Sequence, residues 1–184
     1  KWNPEIRFEV KALLDVEKLK KPSRIFVGST MELFGNWVDA FWLDSIFRTV
    51  RNNPQHTFVF LTKRPNKLLR WSPFPQNCWV GASATDYFSM FEATCWLLEV
   101  KASIKFISFE PLLESVLGQK LNFDGISWVI IGQQTPVSKA TMPKIEWIKE
   151  IVDSADKSGI PVFQKNNLRT LVGDNLRQEF PKEG

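Results

Sequence analysis

Lys63, Arg64, Glu110 and Lys165 each stand just beyond the end of a short apolar run, and so do the neutral hydrogen-bonding residues Ser29, Ser83, Ser108 and Gln134. Two adjacent cations at Lys63 and Arg64 suit a carboxylate or a phosphate, which they can hold through charge-assisted hydrogen bonds. Glu110 can orient a ribose or an amine, or transfer a proton, and Lys165 can pair with Glu110 or with a substrate. Glu110 and Lys165 are therefore the candidate catalytic residues. Ser29, Lys63, Arg64, Ser83 and Gln134 are the candidate substrate- or anion-binding residues. For any one of them the bland alternative is a strand-end polar group that satisfies backbone or meets water.

Other chemistries lack their residues. His56 is the only histidine, and Cys78 and Cys95, with sixteen residues between them, are the only cysteines. An ordinary zinc site and a disulfide framework are not expected, and both thiols read as buried and free. No GxxxxGK[ST] or GxGxxG loop is present. His56 precedes an apolar run and so falls on the opposite end from the candidate site, which leaves it a structural role and rules out a serine triad.

The elements that must position these residues alternate along the chain. Apolar runs at Ile25–Val27, Thr57–Leu61, Cys78–Val80, Ile104–Ile107, Trp128–Ile131 and Ile160–Phe163 read as about six strands. Five of them are nearly continuously apolar, as strands covered on both faces of a parallel sheet are. Between them, Leu43, Ile46, Phe47 and Val50 mark one helix face, and Tyr87, Phe91, Cys95 and Leu98 a second, with Asp86 as N-cap. Ile145, Ile148, Val152 and Ala155 mark a third, with Pro143 in its first turn and Gly159 as its stop. Shorter helical turns are expected after Pro65 and Pro111. At the start, Ile6 to Val10 alternates like an edge strand, with a charged helix near Val16 to Lys21. The stretch after Leu168 reads as a terminal helix or loose end with a turn at Gly173-Asp174-Asn175. Strand, helix, strand order with right-handed crossovers gives an α/β fold with parallel strands, a partial TIM-like barrel, whose polar strand ends gather on one rim.

A chain of 184 residues with 43% hydrophobic content is enough for one domain spanning residues 1–184, and no linker or repeat divides it. It is short for a closed eight-stranded barrel, which typically needs about 250 residues. No apolar run reaches the roughly 18–20 residues of a membrane-spanning helix, and Lys1 to Glu5 do not open a signal peptide, so a cytoplasmic location is expected. The net charge of +4 comes from scattered residues and favours anionic partners only mildly. Eight Trp and fifteen Phe are more unusual; most fall at positions expected to be core, and the remainder offer stacking platforms.

Several stretches resemble a phage-associated protein family of unknown function that looks like a radical S-adenosylmethionine (radical SAM) βα barrel. They are Ile25 to Phe34, Gln55 to Pro65, Trp79 to Ser83, Phe106 to Leu113, Asp124 to Gly132 and Gly159 to Lys165, in order along the chain. The resemblance implies a radical SAM-like barrel lacking its N-terminal strands. Members of that family carry a cysteine cluster ending in Cys-x-x-Cys-Tyr-Ala near the N-terminus, whose thiolates would hold an iron–sulfur cluster beside S-adenosylmethionine. This chain has no counterpart, so neither cofactor is expected in it, and both would be expected only alongside such a segment. It also has Gln133-Gln134 where the pattern has Gly-Glu, and Asn166-Asn167 where it has Gln-Trp.

The expected ligand is therefore a small molecule or nucleotide held at the strand ends. A non-catalytic nucleic-acid or nucleotide-binding domain is the alternative, suggested by the basic balance and the Trp content. A pure interaction domain with a vestigial pocket is the third reading. Pairing with another copy through an exposed sheet edge is compatible with all three.

Overall fold

The computed structural model describes residues 7–116 and 123–182. Six parallel strands form one sheet in simple sequential order: β1 (Arg24–Val27), β2 (Thr57–Thr62), β3 (Cys78–Ala84), β4 (Ile104–Phe109), β5 (Trp128–Ile131) and β6 (Val162–Gln164). Each connection moves one strand along in the same direction, so right-handed crossovers place every helix on the same face. The sheet curls around the other face into a half-barrel.

The helix-side core joins Phe58, Phe60, Val80, Ala82, Ile107, Phe109, Val129, Ile131 and Val162 of the strands to the buried faces of three helices. These are α2 (Ala40–Asn52), α3 (Tyr87–Glu99) and α4 (Ile145–Lys157). The period-two alternation of a strand sends the intervening residues to the concave side. There Val59, Trp79, Phe106, Trp128 and Ile130 form a second core, with Leu61, Ile104 and Phe163 against it. Gly81 and Phe106 are register partners on β3 and β4. A Cβ on Gly81 would lie 2.4 Å from the Phe106 ring, so the bare backbone of β3 is what lets that ring lie across the half-barrel.

Local sequence explains the helix ends. Asp86 caps α3 by accepting from the Ser89 amide at 2.8 Å, and the Ser89 hydroxyl returns a bond from the Asp86 amide in a reciprocal capping box. Gly159, at φ +66°, ends α4 as expected. Pro143 lies just before the N-cap Lys144, two residues ahead of the first helical residue rather than in the first turn predicted for it.

Four expectations need correction. Arg7–Glu9 form no strand; Val10 opens α1 (Val10–Glu17), which lies earlier than the helix predicted near Val16 to Lys21. Phe8 stacks on Trp42 of α2, with ring centroids 5.7 Å apart, and so anchors this stretch on the helix layer rather than at the sheet edge. Ile6 lies outside the described residues. In α3 the buried residues are Met90, Ala93 and Leu97, while Phe91, Cys95 and Leu98 are exposed. That helix is apolar on nearly every side, so periodicity alone did not identify its packed face. Of the two thiols only Cys78 is buried.

Over the described residues the stretch after Leu168 is not loose. After α5 (Arg169–Val172), Arg177–Glu179 run antiparallel along the outer edge of β6. Gln164 donates its amide to the Arg177 carbonyl at 2.7 Å, and Glu179 donates to the Val162 carbonyl at 3.0 Å. Phe180 then turns into the concave side against Trp128 and Phe163, with the Arg24 guanidinium of β1 3.9 Å from its ring centre. β1 is the outer strand at the opposite side of the sheet.

Candidate functional site

The parallel register brings the predicted polar residues to one rim, where they form two adjoining groups. The first surrounds a cavity of about 320 Å³ at the ends of β1, β2 and β3, lined by Gly28, Ser29, Thr30, Glu32, Lys63 and Ser83 among others. Gly28 leaves β1 at φ +70°, a left-handed conformation that suits glycine, and its carbonyl accepts from the Met31 amide as the chain turns. That turn delivers Glu32. Its carboxylate accepts from the Thr62 hydroxyl at 2.5 Å, the Lys63 amide at 2.8 Å and the Phe34 amide at 3.2 Å. Glu32 thus ties the loop after β1 to the end of β2 and leaves the exposed Lys63 side chain beside the cavity. Glu32 was not among the predicted site residues, although it follows a strand end as the others do.

The second group joins strands further along the sheet. Lys165 Nζ donates to Glu110 Oε1 at 2.5 Å, linking the ends of β4 and β6. The strand between them is followed by Gly132, where an added Cβ would lie 3.1 Å from Lys165 and 3.2 Å from Glu110. A glycine there lets both side chains close over the end of β5. Ser108, two residues before Glu110 and so on the same concave face, is register partner to Ser83 of the first group. Its hydroxyl is buried and has no hydrogen-bond partner among the described residues.

Two predicted residues lie outside both groups. Arg64 turns away from the cavity and lies over the Trp37 ring, 4.8 Å from its centre. Gln134 is exposed beyond the end of β5. Its neighbour Gln133 is buried and stitched to Asn167: the Asn167 side chain donates to the Gln133 carbonyl at 2.8 Å, and the Gln133 side chain donates to the Asn167 carbonyl. The chain's two departures from the resembled pattern, at Gln133-Gln134 and Asn166-Asn167, therefore meet in space.

His56 lies at the opposite end of the strands, buried with its ring against Phe58. It borders a cavity of about 510 Å³ that also includes Gln55, Asn77 and Trp79. The two N–H groups of the Asn77 side chain are shared among the carbonyls of Val50, Asn53 and His56, which makes this end a brace between α2 and β3.

Among the described residues no group of three His, Cys, Asp or Glu side chains is placed to hold a metal. Cys78 enters β3 on the helix side and Cys95 faces outward from α3, so the chain's own thiols do not fit an iron–sulfur cluster. No helix among the described residues is long and apolar enough to cross a membrane.

Comparison with curated proteins and with solved structures returns no match. The family model described as Protein of unknown function (DUF5131) matches residues 1–172, nearly the whole sequence, and the chain belongs to that family.

Proposed function

We propose that this half-barrel is of the radical SAM type, in a phage-related family, and that its strand-end rim binds a small anionic or nucleotide ligand. The observation that carries the reading is the meeting of Glu110 and Lys165, 55 residues apart, across the end of β5, in line with the Lys63 cavity. The stretches that bear the resemblance include Ser29, Lys63, Ser83, Ser108, Glu110 and Lys165 of this rim. Lys63 would hold an anionic group, the Ser29 and Ser83 hydroxyls would donate to its oxygens, and the Ser108 hydroxyl would serve the part of the ligand nearest Glu110. Glu110 and Lys165 would exchange their mutual bond for bonds to the ligand, Glu110 toward a hydroxyl or amine and Lys165 toward an anion.

No redox step is assigned to this chain, because its thiols do not fit the cluster that such a step requires. Anaerobic reconstitution with iron and sulfide is expected to leave no stoichiometric iron on the protein. Stoichiometric iron would overturn that part of the reading.

Calorimetric titration with AMP tests the ligand class. Removing a charge-assisted bond costs about 1.5–3 kcal/mol, so Lys63→Ala should weaken binding by about tenfold or more. Arg64→Ala should change it little, since that guanidinium is held over Trp37. Equal affinity of the wild type and Lys63→Ala would sink the assignment of the cavity.

A further inference from the structure

We infer that the surface beside this rim, built on the 3₁₀ helix Pro65–Trp71, is a docking site for single-stranded nucleic acid. This surface is separate from the small-ligand cavity. The segment 63–71 reads Lys-Arg-Pro-Asn-Lys-Leu-Leu-Arg-Trp and contains four cations and no carboxylate. A 3₁₀ helix has three residues per turn, so positions three apart fall in one row. Pro65 and Leu68 form the buried row, with Trp71 next along it, half-buried. The N-cap Arg64, Lys67 and Arg70 form another row, and none of them is in an ion pair among the described residues. At a rise of about 2 Å per residue these cations repeat about every 6 Å, a spacing that successive phosphates of one extended strand can follow. In an α-helix the same three residues would drift across an arc of about 120° instead of staying in line.

Aromatic rings are interleaved with the cations, which separates this patch from an ordinary solvated basic face. Arg64 lies over Trp37 at 4.8 Å, and Arg70 over Trp71 at 5.4 Å. Trp37 remains 50% exposed, yet its position is fixed: a Cβ on Gly35 would fall 2.4 Å from its ring, so the indole is seated on bare backbone. A ring and guanidinium held in place make a plane on which a base can stack with little loss of side-chain freedom. Between this helix and the start of α2 lies a cavity of about 340 Å³ whose lining includes Asn36, Asn66, Lys67, Arg70 and Trp71. The two amides there offer the donors and acceptors that a base edge requires. An acidic peptide would satisfy the cations but make no use of the rings or the amides.

Fluorescence anisotropy with a labelled oligothymidylate across a salt series tests the proposal, with variants checked for folding by circular dichroism. Three phosphates neutralised on a single strand predict a slope of log K against log salt of about −2. Lys67→Ala/Arg70→Ala should reduce that slope by about 1.4. Trp37→Ala should weaken binding by about tenfold without changing it. Lys149→Ala/Lys157→Ala on α4 should leave both quantities as in the wild type. Absence of binding at low salt, an unchanged slope in the double variant, or binding to polyglutamate or to anionic vesicles as tight as to the oligonucleotide would overturn the proposal.

Discussion

Lys165 reaches Glu110 at 2.5 Å over Gly132, so the ends of β4 and β6 are joined across a strand that contributes no side chain of its own there. The carboxylate side chain is 27% exposed and the lysine 43%, which places the pair in high dielectric and limits its worth to about 0–1 kcal/mol of stability. Glu110→Gln and Lys165→Met should each shift the urea midpoint only slightly, while both should weaken AMP binding by calorimetry. A stability loss well beyond 1 kcal/mol with unaltered binding would make the pair a strut rather than part of a site.

Gly81 should tolerate no side chain. Gly81→Ala drives a methyl into the Phe106 ring, and overpacking of this kind costs about 1–3 kcal/mol. Phe106→Ala removes a fully buried ring and should cost about 3–5 kcal/mol. In the double variant the methyl occupies part of the vacated space, so the combined loss should fall short of the sum of the two. Denaturant unfolding of the four proteins measures the coupling, and strict additivity would contradict this packing.

The two cysteines should behave differently. Burial pushes the Cys78 thiol up to about 12, with Arg51 pulling weakly the other way, whereas Cys95 is exposed on α3. Iodoacetamide near pH 8 should therefore label one thiol per native chain, and Cys95→Ser should abolish the labelling. The sign of the pH effect follows from the raised value. Above the ordinary thiol value of 9.0 the unfolded chain loses this proton while the folded chain keeps it. Stability should thus fall as pH rises from about 9 toward 12, at a limiting slope of about 1.4 kcal/mol per pH unit, and Cys78→Ala should remove that component.

The tail along β6 should loosen in acid. The Arg177 guanidinium hydrogen-bonds Glu179 and Asp156, each at 2.9 Å. The bond from Arg177, opposed by partial burial and aided by the Val162 amide, holds the Glu179 carboxyl below the usual carboxylate range. A lowered carboxyl value means that its stabilisation is present above the unfolded value and lost as pH falls through the folded one. Hydrogen exchange at the Gln164 and Glu179 amides should accelerate over that acid range, and Arg177→Ala should accelerate it already at neutral pH. Amides of β3 should keep their protection in both cases.

The strands were legible because five of them are continuous apolar runs, which only a sheet covered on both faces accommodates, and because each ends in a polar switch at the same rim. Asp86 and Gly159 announced their helix ends through chemistry that acts within a few residues. What was not legible depended on contacts between distant segments. The packed face of α3 was hidden because Phe88, Phe91, Trp96 and Leu98 make the whole helix apolar. Phe8 was drawn to Trp42 rather than to the sheet, and Phe180 found the concave side only because Trp128 and Phe163 were already there. At the site, Ser29, Lys63 and Ser83 converge on one cavity and Glu110 meets Lys165, but Arg64 was captured by Trp37 and Gln134 was left exposed. Glu32 obeys the same strand-end rule as its neighbours. Its role appears only when Thr62 and the Lys63 amide are seen to bind it.

The antiparallel stretch Arg177–Glu179 gives the sheet a finished border at β6. A strand arriving at that margin would first have to displace the tail, with its backbone bonds to Val162 and Gln164 and the Arg177–Asp156 ion pair, so the tail guards β6 against edge-to-edge pairing.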